Sequence, residues 1–223
     1  LPVSGRWTVE QAVAWKAKDT KPWRVGANFL PSTASNQLEM WQAATFDPAT
    51  ITREFLWASL LGMTTMRIYL HDLAWQTDRA GFLWRLDHVL RLAAEAGIRP
   101  VLVLFDSCWN PEPAVGAQPA PKPGVHNSCW MQSPGAKMEK APAYWPRLEE
   151  YVKDVINAHA KDQRILAWDL YNEPAAQAAT LLEEVFVWAR EMKPAQPLTS
   201  GVWGGPLDAR ARELSDIISF HCY

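Results

Sequence analysis

The sequence predicts an α/β fold built on a parallel sheet of about six strand–helix units, and three observations predict it. Short apolar runs alternate with amphipathic segments through to the last residue. The runs are continuously apolar rather than alternating, as strands covered on both faces are. Polar and aromatic residues collect just after the C-terminal ends of those runs. Repeated strand–helix units imply right-handed crossovers in a sheet that is either doubly wound or closed as a barrel.

The runs read as strands are 24–30, 65–70, 98–105, 165–171, 197–202 and 217–220. Between them lie helical stripes. Leu83, Leu86, Val89, Leu90 and Ala93 share one face, with Arg85, His88, Arg91 and Glu95 opposite. Leu148, Val152, Val155 and Ile156 repeat the pattern, as do Leu181, Leu182, Val185, Phe186 and Ala189. Gly62 and Gly97 stand where two helices should stop before the next strand. No run is followed by a Gly-x-Gly-x-x-Gly or a Gly-x-x-x-x-Gly-Lys pattern, which lowers the weight of nucleotide-binding versions of the fold.

Two connections exceed what a connector needs. Residues 31–45 contain Asn36, Gln37, Glu39 and Trp41, and residues 106–142 are proline-rich and contain Trp109, Asn110, Glu112, His126 and Trp130. Proline at that density predicts an ordered, irregular wall of a cleft. The bland alternative is a disordered insert.

Composition narrows the function. A net charge of −2 offers no basic face for nucleic acid or an anionic membrane surface. No apolar stretch reaches the roughly 20 residues of a membrane span. The first residues show no basic segment leading into an apolar one, so a signal peptide is either removed or never existed. Three cysteines are too few for a disulfide framework; Cys108 and Cys129 can pair, but buried thiols are the commoner outcome. No zinc-type spacing occurs, and neither metal nor cofactor is expected. Thirteen tryptophans are the one excess; many serve packing, but an indole in a loop also stacks on the apolar face of a pyranose. Trp41, Trp109, Trp130 and Trp203 are the sugar-platform candidates, whereas Trp7, Trp15, Trp57, Trp84, Trp145 and Trp188 are assigned to packing.

Glu173 is the sharpest chemical signal. It ends a buried run in Trp168-Asp169-Leu170-Tyr171-Asn172-Glu173-Pro174, so its carboxylate should project at the C-terminal edge of the sheet. Asn172 beside it can hydrogen-bond a hydroxyl, and Pro174 ends the strand by withholding a donor. Asn28, Arg67, Trp109, Trp203 and His221 are expected to converge on the same edge. Asp169 is expected to satisfy a buried arginine. His71-Asp72 either touches substrate or forms a structural pair holding Arg67, and His126 is more simply a loop histidine.

Asn172-Glu173-Pro174 resembles the fourth-strand motif of the large clan of retaining β-glycanases that includes cellulases, endo-mannanases and some xylanases. Met66-Arg67-Ile68 is similar to the clan's second-strand arginine, and His221-Cys222-Tyr223 to its His-x-Tyr pair. The segments around Asn36 to Gln42, Trp109 to Pro113 and Thr199 to Trp203 look like a bacterial cellulase-like branch. The third strand departs from the pattern: Phe105-Asp106-Ser107-Cys108 places a cysteine where many members have histidine. The resemblance implies a TIM (β/α)8-type barrel, hydrolysis of a β-glycan by double displacement, Glu173 as general acid/base, and no cofactor. It implies substrate contacts from Asn172, Arg67, His221, Tyr223, Trp109, Asn110, Trp203, Trp41 and Asn28. A retaining mechanism needs a second carboxylate about 5 Å away; the clan's nucleophile ends strand seven, beyond Tyr223. The expectation is therefore one catalytic domain over residues 1–223, truncated after strand six, from a secreted or periplasmic protein. Missing strands supplied by a second chain, or a non-catalytic carbohydrate-binding protein or pseudoenzyme, are the alternatives. Open sheet edges would favour self-association.

Overall fold

A computed structural model describes residues 5–21 and 23–222. Every expected strand forms: β1 (Gly26–Phe29), β2 (Thr65–Tyr69), β3 (Val101–Asp106), β4 (Ala167–Asn172), β5 (Leu198–Val202) and β6 (Ser219–Phe220). They pair in parallel in the order β1-β2-β3-β4-β5-β6 and curl as part of a (β/α)-barrel. β3 begins later than its apolar run suggests. Ile98 still donates back to Ala93 O (2.8 Å) at the helix end, and Pro100 has no N–H to give a ladder.

The helices are α1 (Val9–Ala17), α2 (Gln37–Trp41), α3 (Pro48–Leu60), α4 (Asp72–Thr77), α5 (Arg79–Glu95), α6 (Ala136–Glu139), α7 (Trp145–His159), α8 (Ala179–Glu191) and α9 (Asp208–Leu214). Local chemistry sets the ends. Asp47 caps α3 by accepting from Thr50 N (3.0 Å) ahead of Pro48, and Asp78 caps α5 by accepting from Gly81 N (3.0 Å). Gly62 and Gly97 leave α3 and α5 with φ of +81° and +73°, where a Cβ would be strained.

The expected apolar stripes of α5, α7 and α8 are buried, apart from a partly buried Leu83. Arg85, assigned to the polar face of α5, is instead buried and paired with Asp78 (2.9 Å). It lies three residues after Phe82 and four before Val89, so helical geometry places it on the buried stripe. Two packing assignments also fail: Trp57 and Trp84 lie on the outer surface, 54% and 60% exposed, with Trp84 stacked on His88 at 5.2 Å. Trp188 is buried as expected.

The long loop is ordered rather than a disordered insert. Asp106 and Ser133 form an antiparallel bridge, Asn110 and Met131 a parallel one, and Asn36 Nδ2 donates to Cys129 O (3.0 Å). Cys108, Cys129 and Cys222 are free, so the Cys108–Cys129 pair does not form. Gly26, Ala27 and Asn28 of β1 are exposed, as is Phe220 of β6. No helix among the described residues is long and apolar enough to cross a membrane.

Candidate active site

The C-terminal edge of the sheet opens into a cleft of about 410 Å³. Its floor begins with Arg67 on β2. Burial alone would depress the guanidinium's basicity, but Asp169 and its neighbours outweigh that and raise it. Arg67 donates to Asp169 Oδ2 through Nε (3.0 Å) and Nη2 (2.5 Å), to Asn172 Oδ1 (2.9 Å), and to the Tyr69 hydroxyl. Asp169 also accepts from Gly201 N (3.1 Å). It is thus the carboxylate that satisfies a buried arginine. Gly201 leaves room for both side chains: a Cβ there would come within 2.9 Å of His221 Nε2 and 3.1 Å of Arg67 Nη2, so His221 and Arg67 would have to shift.

Glu173 follows β4 with φ +45°, in the left-handed region that non-glycine residues rarely occupy. A register irregularity between Asp169 and Asn172 precedes it, and its N–H donates to Gly201 O (2.9 Å). Such a conformation costs on the order of 1–3 kcal/mol and persists where surrounding contacts hold it. The carboxylate is held at both oxygens: His221 Nδ1 contacts Oε1, and the Cys108 thiol donates to Oε2 (3.3 Å). Burial, then the nearby Asp106 and Glu173 carboxylates, push the Cys108 thiol well up, so it acts as a donor rather than a thiolate. Trp109, also at positive φ (+77°), stands on the rim, 39% exposed, edge-on to His126 (5.5 Å) and Trp130 (6.4 Å).

The cleft therefore brings together Asn28, Arg67, Trp109, Asn172, Glu173 and His221, together with Trp130 and His126. It does not collect every expected residue. Trp41 is fully buried, donates Nε1–H to Tyr69 O (2.7 Å) and packs on Phe82 at 5.4 Å; it supports β2 from behind and is no platform. Trp203 is 49% exposed but lies outside the cleft lining, and Asn110 is turned to its own loop, accepting from Glu112 N (3.0 Å). Tyr223 lies outside the described residues. The His71-Asp72 pair is structural, but it does not hold Arg67. Asp72 accepts from Arg147 (2.6 Å) and Ser133 Oγ (2.7 Å), joining α4 to α7 and the long loop.

Sequence reasoning missed Tyr69 as a cleft residue, although it lies two positions after Arg67 and a strand returns to the same face every second residue. It registered Cys108 as a departure from a pattern and as a candidate partner of Cys129. Nothing local marks its contact with Glu173, 65 residues away in the chain. A possible cation cluster, Asp87, His159 and Asp162, lies elsewhere, but Arg164 already bridges both carboxylates (2.5 and 2.6 Å). Trp41→Ala should cost about 3–5 kcal/mol through the cavity it leaves, whereas Trp203→Ala should stay within about 0.5 kcal/mol; chemical denaturation of both variants checks the contrast.

A curled sheet of six parallel strands with a polar cleft at its C-terminal edge defines the barrel class in which active sites are built from strand-to-helix loops. Solved structures similar to this chain include glycoside hydrolases. The exo-β-1,4-mannosidase Op5Man5 from Opitutaceae bacterium strain TAV5 superposes with TM-score 0.62 at 23% identity, over 90% of this chain and 38% of that one. A glycoside hydrolase family 5 mannosidase from Rhizomucor miehei gives 0.60 at 15% identity, over 91% and 58%. A GH5_18 glutamate-to-alanine variant from Streptomyces cattleya, in complex with Manβ1-4GlcNAc, gives 0.59 at 13% identity, over 90% and 51%. The chain spans 38–58% of the length of these three structures. No protein-family model matches the sequence, and no curated protein matches it.

Proposed function

We propose that this chain carries the acid/base half of a retaining β-glycan hydrolase, with Glu173 as general acid and then general base. The observation that carries the reading is the placement of Glu173. It projects from a strained strand end into a cleft, with Asn172 and His221 beside it and Trp109 on the rim. In the first step its proton passes to the departing glycosidic oxygen; in the second it takes a proton from the attacking water. Asn28, Arg67 and Asn172 supply donors to sugar hydroxyls, and Trp109 and Trp130 supply flat apolar faces. The nucleophilic carboxylate comes from outside residues 1–223. A polymeric substrate fits a secreted or periplasmic protein, and the exposed edges of β1 and β6 fit self-association of the isolated chain.

One observation favours a second reading. Among the described residues lining the cleft, Glu173 is the single carboxylate, as a carbohydrate-binding protein without turnover would have it. The full-length gene product decides between the two. The enzyme reading expects cleavage of β-1,4-mannan or cellulose oligomers with the first-formed product in the β configuration, read by proton NMR. Inverted product overturns double displacement, and binding without cleavage of any activated glycoside establishes the binding protein.

A further inference from the structure

Asp106, at the end of β3, is a buried carboxyl group that the proposed mechanism does not use. Its Oδ1 accepts from Asn172 Nδ2 (2.8 Å) and from Cys108 N (2.9 Å). Those are two of the residues set against Glu173, one by chain neighbourhood and one by the thiol contact. Its Oδ2 is fully buried and has no hydrogen-bond partner among the described residues. A bare carboxylate oxygen in that position would be costly, because burial without a donor penalises the charged form most. Protonation removes the charge and so lowers that cost.

We propose that Asp106 is a positioning residue that, as a neutral carboxylic acid, orients the Asn172 amide and the Cys108 main chain and through them the Glu173 carboxylate. This deepens the hydrolase reading and rests on it for its functional meaning, although the contacts exist independently of any reaction. The Asn172 amide is held at both ends: Oδ1 receives Arg67 Nη2 (2.9 Å) and Nδ2 gives to Asp106 (2.8 Å). Rotation of that amide by half a turn would set donor against donor at Arg67 and acceptor against acceptor at Asp106. Asp106 therefore decides which face of Asn172 a ligand meets.

The titratable and charged groups around Asp106 are Arg67 and Tyr69 on β2, Tyr171 on β4 and Cys108 on its own loop, with Glu173 one contact further away. Burial pushes the Asp106 carboxyl up to about 7, against the pull of Asn172, the Cys108 N–H and Arg67. The unfolded chain loses the same proton near pH 4. The folded state thus binds more protons between those values, and this group lowers stability progressively as pH rises from about 4 to about 7.

NMR of the intact protein tests this without requiring turnover. The Asp106 side-chain carboxyl carbon, assigned by its loss in Asp106→Asn, should titrate with a midpoint near 7, and the Asn172 side-chain amide should shift with the same midpoint. In Asp106→Asn, an isostere of the neutral acid, that amide signal should match wild type at pH 5.5 and no longer move at pH 8. Asp106→Ala should displace it at every pH. The stability slope from pH 4 to 7 should flatten in Asp106→Asn relative to wild type. A carboxyl midpoint below 5, or an Asn172 amide indifferent to both substitutions, overturns the proposal. Calorimetric binding of Manβ1-4GlcNAc to the full-length protein adds the functional arm, with Asp106→Ala at least tenfold weaker than wild type and Asp106→Asn restoring affinity at pH 5.5. Equal affinity in wild type and Asp106→Ala overturns the positioning role, whereas no binding of any β-glycan by wild type defeats the hydrolase reading and leaves the NMR result to stand by itself.

Discussion

Glu173→Ala in the full-length protein should lower turnover of an unactivated β-glycan by about 10²- to 10⁴-fold, the usual value of general acid/base assistance. The loss should be smaller for aryl glycosides in the first step, because a good leaving group departs without a proton. The second step still lacks its base, so the glycosyl-enzyme should accumulate. Azide should then restore the aryl-glycoside rate, since a small anion attacks without deprotonation and yields a glycosyl azide of retained configuration. The structure sharpens the expectation at two contacts. Cys108 and His221 hold opposite oxygens of the carboxylate, so removing Glu173 also releases both. The Glu173→Gln variant keeps the size of the side chain and should show the same kinetic pattern, which separates lost proton transfer from a rearranged cleft. Natural-substrate turnover that survives Glu173→Ala would remove the central assignment.

The second large effect is expected at Arg67. Asp169 is wholly buried, with Arg67 as its charged partner and Gly201 N–H as a further donor. Arg67→Met keeps the aliphatic length but strands the carboxylate, and breaking a buried pair in this way costs about 3–5 kcal/mol. For a chain of this size that corresponds to a fall in Tm of roughly 6–20 °C. The double variant Arg67→Met/Asp169→Leu should recover most of the loss, because no uncompensated charge remains. If the single variant melts within a degree or two of wild type, the pair is not the structural hub that its geometry indicates. Both variants should lose glycan affinity, since Asn172 loses the donor that fixes its Oδ1.

Much of this molecule was legible in order along the chain. Continuous apolar runs located all six strands; for β3, β4 and β5 the reason is burial on both faces, whereas β1 and β6 are largely exposed. Helical stripes located α5, α7 and α8 because a period of 3.6 residues needs several turns to show itself, and those helices have them. Glu173 was legible because a polar residue ending a buried strand has only the sheet edge to occupy. Asp169 was legible as the partner of an arginine because a carboxylate within a buried strand needs one.

What the chain order could not determine was partnership across it. Trp41 lies in α2, a helix of five residues that is too short to reveal which side faces the core. Tertiary packing turned it onto Phe82 and the Tyr69 carbonyl rather than into the cleft. Asp72 found Arg147 rather than Arg67, 75 residues away, because α4 packs beside α7. Cys108 meets Glu173, and Asp106 meets Asn172, only when β3 and β4 lie side by side in register. Local sequence by itself located the six strands and the buried stripes of α5, α7 and α8, since both follow from periodicity, but it misplaced Arg85, Trp41, Trp57 and Trp84. The closing sheet alone decided which buried charge meets which, since those contacts join residues 65 to 105 positions apart that no local pattern relates.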